Sequence, residues 1–149
     1  MDRSLAEALA RLPHGAEFRF IDRLLSLDPG KHALGEYRVP ADHPFLRGHF
    51  PGEPLFPGVL LIEAAAQLAG VVAQSEPAVP PLCRLKLSGV RAVKFTGTAK
   101  PGQIIRLEAA LTGRLANVVS ASAAAWVEDQ LVLRAELTLS GDPARPDSK

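Results

Sequence analysis

The sequence predicts an α+β fold in which a mostly antiparallel sheet curls around one buried helix. The segment Gly58–Gln74 has apolar side chains on every side of its helix axis, interrupted chiefly by Glu63 and Gln67. A helix that is apolar all round is a buried one, and 17 residues are fewer than the ~20 that span a bilayer. On both sides of this helix the apolar pattern changes to the two-residue period of strands. The protein itself must therefore wrap the helix.

The chain before the central helix predicts a short helix, a hairpin and a long loop. Ser4 can cap the short helix, with Glu7 completing a capping box before Ala8–Leu12. The hairpin has the strands Glu17–Leu27 and His32–Val39, joined by a turn at Asp28–Lys31. The segment Pro40–Pro57 then holds five prolines and two glycines, so we expect no regular element in it. A structureless loop of this length in a small domain is usually functional.

The chain after the central helix predicts a linker at Pro77–Pro81 and about four strands. These strands are Leu82–Phe95, Gln103–Leu111, Asn117–Val127 and Leu131–Ser140. Residues 1–141 form one predicted domain, and residues 142–149 form a polar tail.

Composition excludes several classes of protein. With 47% apolar residues, 22% charged residues and a net charge of +1, the chain is typical of a globular domain and gives no sign of nucleic-acid binding. Its first seven residues are too acidic for a signal peptide, and no apolar run is long enough to span a membrane, so we expect a cytoplasmic protein. Cys83 is the single cysteine, which excludes an intrachain disulfide and a cysteine-based zinc site.

Glu63 is the first candidate for chemistry, because it lies inside the apolar helix. Burying an unpaired carboxylate costs several kcal/mol unless the group is hydrogen-bonded, paired or protonated. Gln67 lies four residues later on the same helix face. A structural Glu63, bonded to Gln67 or to the backbone of a loop, is the alternative interpretation.

His49 is the second candidate, since histidine titrates nearest neutrality and this one lies in the proline-rich loop just before the helix. The alternative is a histidine that bonds its own loop, which is also our interpretation of His14, His32 and His43. His43 and His49 lack a convincing third ligand, so the sequence predicts no metal site. The free N–H groups of Gly58 and Val59 at the helix N-terminus could stabilise an oxyanion.

The stretch from Gly48 to Gln67, GHFPGEPLFPGVLLIEAAAQ, resembles a known family motif. The pattern H-F-P-x-x-P-x-x-P-G-V-x-x-x-E-A-x-x-Q is the central motif of the 3-hydroxyacyl-[acyl-carrier-protein] dehydratases of type II fatty acid synthesis. Leu12-Pro13-His14 with Ile21-Asp22-Arg23 is similar to the opening motif of that family, and Val93-Lys94-Phe95 to a later one. The resemblance covers roughly Leu12 to Leu139. After Phe95 the chain departs from the pattern of that family at two places, Thr96 and Thr98-Ala99.

The resemblance implies a hotdog fold, with a sheet wrapped around one helix, and dimers that often assemble into hexamers. It also implies a site shared between subunits, with His49 from one and Glu63 from the other. Family members that also isomerise carry Asp at this position, so Glu63 favours the plain dehydratases. The implied reaction is reversible loss of water from a 3-hydroxyacyl thioester, giving the trans-2-enoyl thioester without a cofactor.

Each predicted site residue has a role in this reaction. His49 would remove the proton next to the thioester carbonyl, and Glu63 would protonate the leaving hydroxyl. The N–H groups of Gly58 and Val59 would hold the carbonyl oxygen. Gln67 would orient Glu63 or a water. The acyl chain would lie beside Phe56 and Phe95.

The stretch from Pro77 to Leu107 has no acidic residue and six basic ones, Arg84, Lys86, Arg91, Lys94, Lys100 and Arg106. These side chains could form the solvent-exposed face of the strands, or they could form a docking surface for an acidic acyl carrier protein. The sequence does not decide between this carrier and a coenzyme A thioester. Two other functions stay open, a hotdog acyl thioesterase and a non-catalytic domain that binds acyl carriers.

Overall fold

The computed structural model of the chain describes residues 2 to 143. The helices are α1 (Arg3–Ala10), α2 (Pro44–Gly48) and α3 (Gly58–Gln74), with a 3₁₀ turn at Ala16–Phe18. The strands are β1 (Arg23–Asp28), β2 (His32–Arg38), β3 (Cys83–Phe95), β4 (Ile104–Leu115), β5 (Val118–Val127) and β6 (Gln130–Asp142).

The six strands form one sheet in the order β1-β2-β4-β5-β6-β3, and every neighbouring pair is antiparallel. Helix α3 packs against β2, β3, β4, β5 and β6. A single antiparallel sheet wrapped around one central helix confirms the predicted α+β hotdog fold. β1 and β3 form the two edges of this sheet.

Small and branched residues place α3 close to the sheet. Ala64, Ala65, Leu68 and Ala69 have no exposed surface, and the alanines let the strands approach the helix axis. Gly35 of β2 makes room for Leu68, since a Cβ at Gly35 would lie 3.4 Å from Leu68 Cδ1. Truncating a buried leucine of this kind costs ~2–5 kcal/mol of unfolding free energy. Because α3 is held against the sheet in this way, the backbone positions of the residues on its remaining face are also determined.

The predicted cap of the first helix is wrong. Asp2 is the N-cap, and its side chain accepts from the Ser4 N–H at 2.8 Å. Glu7 forms an ion pair with Arg3 at 3.0 Å and does not return to a Ser4 cap. The helix also ends at Ala10, ahead of the predicted end.

The first predicted strand, Glu17–Leu27, begins too early. The structure has a 3₁₀ turn at Ala16–Phe18 and starts β1 only at Arg23. The reason is that the Phe18 carbonyl and the Phe20 N–H bond the side chain of Gln67 on α3. This segment therefore has its hydrogen-bond partner on the helix and not on a neighbouring strand.

The prediction that Pro40–Pro57 has no regular element is also wrong, because it contains α2. Pro44 stands at the start of α2, where its missing N–H costs nothing. The His43 ring accepts from the Phe45 N–H through Nδ1 at 3.4 Å and caps the helix. A proline-rich segment therefore still forms one short helix where the proline is at its first turn.

The other elements lie close to their predicted bounds. α3 has the bounds predicted for it, β4 continues beyond the predicted end to Leu115, and β6 continues to Asp142. β6 thus takes in the first residue of the predicted tail, and residues 144–149 of that tail lie outside the described residues. No helix within residues 2–143 is long and apolar enough to cross a membrane.

Candidate active site

Glu63 lies on a face of α3 that opens into a cavity. Its side chain is 22% exposed, so it is not enclosed by the core that surrounds the rest of the helix. Gln67 lies one turn later and donates from Nε2 to Glu63 Oε1 over 3.2 Å. The two side chains thus meet as their spacing predicts.

The orientation of the Gln67 amide is fixed by the backbone. Gln67 Oε1 accepts from the Phe20 N–H at 2.9 Å, and Nε2 donates to the Phe18 carbonyl at 2.8 Å. A backbone N–H only donates and a carbonyl only accepts, so this amide cannot be flipped. Its remaining hydrogen points at Glu63 Oε1, which is therefore an acceptor. Glu63 Oε2 has no hydrogen-bond partner within residues 2–143.

His14 is a neighbour of Glu63 that the sequence analysis missed. His14 Nε2 lies 3.4 Å from Glu63 Oε1. Arg19 donates to the carbonyls of Leu12 and His14 and so holds the loop that carries the ring. The available signal was the position of His14 in the opening motif.

A cavity of about 360 Å³ lies between α3, β3 and the segment that joins α1 to β1. Along α3 it extends from Glu63 to Ser75. His14 and Gln67 line it beside Glu63. Most of the remaining wall is apolar, with Leu12, Ala66, Gly70, Val71, Leu85, Leu87 and Leu139. The cavity therefore combines an acid with an apolar slot.

His49 lies outside the lining of this cavity. Its Nδ1 is 3.1 Å from the Leu55 carbonyl, and because that carbonyl only accepts, Nδ1 carries the hydrogen in the neutral ring. Nε2 then keeps a free lone pair. Two backbone bonds hold the residue, from the His49 N–H to the Leu46 carbonyl and from the Leu55 N–H to the His49 carbonyl. In the described part of the chain no hydrogen bond or ion pair joins His49 to Glu63.

The N-terminus of α3 begins at Gly58, after Pro57, and has no side-chain cap. The Gly58 and Val59 N–H groups have no partner inside the helix, and Val59 is 71% exposed. Phe95 covers Gly58 so closely that a Cβ there would lie 2.9 Å from Phe95 Cε1. A side chain at this position would require the Phe95 ring, itself half exposed, to shift from its place over the helix N-terminus.

Phe56 lies in a cluster of aromatic rings with Phe20, Tyr37 and Phe45. It is 3% exposed and does not line the cavity beside Glu63. Burial, with the Asp22 charge as a second cause, raises the pKa of Tyr37 to about 12. Tyr37 thus stays protonated at neutral pH and cannot act as a base.

Metal-ligand residues do not come together in the described ranges. Across residues 2–143 no three His, Cys, Asp or Glu side chains form a group that could hold a metal ion. The two histidines of the proline-rich loop have other partners, since His43 caps α2 and His49 bonds the Leu55 carbonyl.

The basic stretch is partly neutralised by the neighbouring strand. Arg84 pairs with Asp142, and Arg91 pairs with Glu136 at 2.7 Å. Lys94 lies directly across from Arg134 in the register of β3 and β6, which places two like charges side by side. Of the six basic side chains in this stretch, four have no acidic partner within residues 2–143, namely Lys86, Lys94, Lys100 and Arg106.

Comparisons with known proteins identify the family. A 3-hydroxyacyl-[acyl-carrier-protein] dehydratase FabZ from Chloroflexus aggregans is 38% identical over 143 residues, which cover 95% of this chain and 99% of that relative. The family model of the FabA-like domain matches residues 12–136. This chain belongs to the FabZ-like dehydratases. Another dehydratase FabZ, from Syntrophotalea carbinolica, is 34% identical over 152 residues, covering 99% of this chain and all of that one.

Solved structures share the fold of this FabZ-like chain. The dehydratase heterocomplex ApeI:P from Xenorhabdus doucetiae matches with a TM-score of 0.76 at 20% identity, covering 95% of this chain and 92% of that one. The smu.793 protein from Streptococcus mutans, bound to acetyl CoA, matches with a TM-score of 0.67 at 15% identity, covering 91% and 98%. At these identities the likeness concerns the fold alone.

The predicted site residues of this FabZ-like chain fall into separate groups. Glu63 and Gln67 meet in the cavity, together with His14. Outside the cavity lining lie His49 on its loop, and separately Gly58 and Val59 at the start of α3 with Phe95 against Gly58. Phe56 belongs to the aromatic cluster and joins none of these groups.

Proposed function

We propose that this FabZ-like chain catalyses the reversible dehydration of 3-hydroxyacyl thioesters, with Glu63 as the acid and His49 as the base. The observation that carries the proposal is the free Oε2 of Glu63. The Gln67 amide donates to Oε1, which leaves Oε2 to carry a proton on a side chain that lines the cavity. A carboxyl held in this way can deliver its proton to a leaving hydroxyl.

The base is prepared in a complementary way. The Leu55 carbonyl takes the His49 Nδ1 hydrogen, which leaves the Nε2 lone pair available. Nε2 removes a proton from the carbon next to the thioester carbonyl, the carbon–oxygen bond of the 3-hydroxyl breaks, and Glu63 protonates the departing oxygen to give water. The electron pair of the carbon–hydrogen bond becomes the new double bond. The proton gained by His49 returns to solvent, and Glu63 takes one up.

The thioester carbonyl needs donors while the proton is removed, because negative charge develops on its oxygen. The N–H groups of Gly58 and Val59, which have no partner inside the helix, are suited to this, since they stand at the positive end of the α3 dipole. His49 and Gly58 are joined by a loop that is held by backbone bonds from Leu55 to His49 and from Phe56 to Ala99. We infer that the base and the carbonyl donors belong to the same half of the site.

We infer that a second copy of the chain supplies the other half. Glu63 opens into a cavity that His49 does not line, and no hydrogen bond or ion pair among residues 2–143 joins the two, which supports a site completed by a second subunit. A two-fold dimer provides the same contact twice, and each of its two sites would combine His49 of one subunit with Glu63 of the other.

The sheet edge at β3 suits such a dimer. β3 is an edge strand of 13 residues, and within residues 2–143 it pairs only with β6. A long open edge is a template for pairing with another chain. Pairing of two β3 edges about a two-fold axis would also place the two α3 helices side by side. The expectation extends to hexamers of three dimers, which the mass in solution would show.

The acyl chain would lie in the cavity of about 360 Å³. Its apolar wall runs along α3 from Glu63 toward the end of the helix. Gln74 follows Glu63 by eleven positions, and at a rise of about 1.5 Å per residue this is a slot of about 16 Å. Phe56 does not line this slot, and Phe95 lies over Gly58, where it would cover the thioester end of the substrate.

We further infer that the carrier is an acidic acyl carrier protein, in a cytoplasmic setting. Lys86 and Lys94 of β3 have no acidic partner in the described chain, and Lys94 faces the like charge of Arg134. Like charges directly opposite destabilise a strand pair. An anionic partner would relieve that repulsion, and complementary charge would speed its encounter.

Hydration of 2-enoyl thioesters, followed by loss of enoyl absorbance, tests the reaction. We expect turnover of crotonyl and longer substrates, and no thiol release from saturated acyl thioesters in the same buffer. Thiol release without hydration would show a thioesterase in place of a dehydratase. A folded protein with neither activity would contradict the proposal and favour a domain that only binds carriers.

A further inference from the structure

We propose that His14 is a positioning residue that holds the carboxyl group of Glu63. With Gln67 it keeps Oε1 occupied and turns Oε2 toward the substrate. The inference rests on the proposed function, since it concerns the proposed acid. It assigns a role to a residue that the sequence alone suggests is a loop histidine bonding its own backbone.

The first argument is that two side chains approach the same oxygen. His14 Nε2 lies 3.4 Å from Glu63 Oε1, and Gln67 Nε2 lies 3.2 Å from it. One contact would leave the carboxyl plane free to pivot about that oxygen. A second contact, from a residue on another segment of the chain, restricts the plane and so the direction of Oε2. The His14 ring is 28% exposed, so solvent screens the contact only in part.

The second argument concerns the other ring nitrogen. His14 Nδ1 is buried and has no hydrogen-bond partner among the described residues. Nε2 is therefore the nitrogen through which this ring acts, and it faces Glu63. A histidine that bonded its own loop backbone would use Nδ1 in the way that His49 does. His14 does not fit that interpretation.

The third argument is that the ring itself is held in place. Arg19 donates to the Leu12 carbonyl at 3.0 Å and to the His14 carbonyl at 3.4 Å, fixing the backbone on both sides of Pro13. The ring stacks on Phe18 with a centroid distance of 6.2 Å. The Phe18 carbonyl is in turn bonded to Gln67. The segment that carries His14 and the side chain of Gln67 thus form one connected support for Glu63.

Two substitutions separate positioning from packing. His14→Phe keeps a ring beside Phe18 but has no donor, whereas His14→Gln keeps an N–H near the place of Nε2. We expect His14→Phe to lower kcat roughly tenfold, the scale of a partial loss of alignment, with KM for a four-carbon enoyl thioester within about twofold. His14→Gln should recover most of that loss. Both should unfold within a few degrees of the wild-type Tm.

The same substitution in a Glu63→Gln background measures whether His14 acts through Glu63. If it does, adding His14→Phe to Glu63→Gln should lower the residual rate by less than about twofold, because coupled residues are not additive. A further tenfold loss would show that His14 acts independently and would overturn the proposal.

Other outcomes are equally decisive. A His14→Phe enzyme with wild-type kcat, or one in which Phe and Gln lose kcat and Tm together, would overturn the positioning role while the dehydratase function stands. Absence of turnover in the wild-type protein would overturn the proposed function, and the role of His14 with it.

Discussion

Gln67 donates a hydrogen bond to Glu63 Oε1 at 3.2 Å, and two backbone groups determine which way its amide points. The amide also donates to the Phe18 carbonyl and accepts from the Phe20 N–H. A side chain that is 2% exposed thus connects the opening loop to the proposed acid. Its removal should therefore affect both stability and catalysis.

Gln67→Leu tests this dual role. It leaves two backbone groups without partners, and each buried unsatisfied group costs ~1–3 kcal/mol. We expect the unfolding free energy to fall by about 2–4 kcal/mol and kcat to fall at least roughly tenfold. Denaturant unfolding and enoyl hydration measure the two effects.

Gln74→Leu is the matched control. The Gln74 amide likewise makes two hydrogen bonds to backbone groups, donating to the Leu82 carbonyl and accepting from the Leu82 N–H. Gln74 lies about three helical turns away from Glu63. Its loss should cost similar stability and leave kcat for a four-carbon substrate unchanged. Equal loss of kcat in both variants would show that stability, and not the contact with Glu63, is responsible.

Gly70 should set the length of acyl chain that the cavity accepts. A Cβ at Gly70 would lie 3.8 Å from Leu85 Cδ2, which is ordinary contact, so Gly70→Ala fits and should raise stability by up to ~1 kcal/mol through helix propensity. Gly70→Leu fills the slot. We expect kcat/KM for twelve-carbon and longer substrates to fall by about tenfold or more, with four-carbon substrates nearly unchanged. An equal loss for all lengths would place the acyl chain elsewhere.

Lys94 tests carrier docking, because it has no acidic partner in the described residues and lies opposite Arg134. Lys94→Glu should raise KM for carrier-linked substrate roughly tenfold, and KM for the coenzyme A thioester by less than about twofold. Added salt should mimic the effect. Lys31→Glu, in the turn between β1 and β2, is the control. Identical changes for both substrates would contradict docking at β3.

The raised pKa of Tyr37 predicts that the stability of the protein depends on pH in the alkaline range. Its pKa is about 12 in the folded protein and about 10 when unfolded, so the phenol binds its proton more tightly in the fold. Its contribution to stability is complete below about pH 10 and is lost as pH rises toward 12. Tyr37 is the only tyrosine, so phenolate absorbance reports on it alone. Tyr37→Phe should remove the effect, and a phenolate that forms near pH 10 in folded protein would contradict it.

The sequence pattern predicted the elements that are determined by residues close to one another in the chain. α3 has the predicted bounds because its apolar surface and the preceding Pro57 are both visible in the sequence. The strands after Pro81 were placed to within a few residues, except that β4 extends to Leu115 and turns at Ala116, which has a φ of 53°. Nothing in the residue type of Ala116 indicates a turn there.

Features with distant partners could not be predicted. The backbone of Phe18–Phe20 bonds Gln67, 47 to 49 residues later, and so leaves the strand pattern. α2 was missed because its cap is a histidine ring, whereas Ser, Thr, Asp and Asn are the usual caps. The interpretation of His14 as a histidine that bonds its own loop did not foresee its contact with Glu63, because Glu63 lies on another element. The sequence indicated His49, Glu63 and Gln67, but not the support around them.

The central claim is that each site takes His49 from one subunit and Glu63 from the other. His49→Ala and Glu63→Gln should each lower turnover by ~10²-fold or more, and His49→Ala should still fold because the residue lies on a loop. The decisive measurement mixes the two inactive variants under subunit exchange, with exchange verified by mass. A hybrid dimer then has one site with both residues and one with neither, so up to about half of the wild-type activity per hybrid should return. Verified exchange without any return of activity would mean that both residues act within one chain, and the shared site would be wrong.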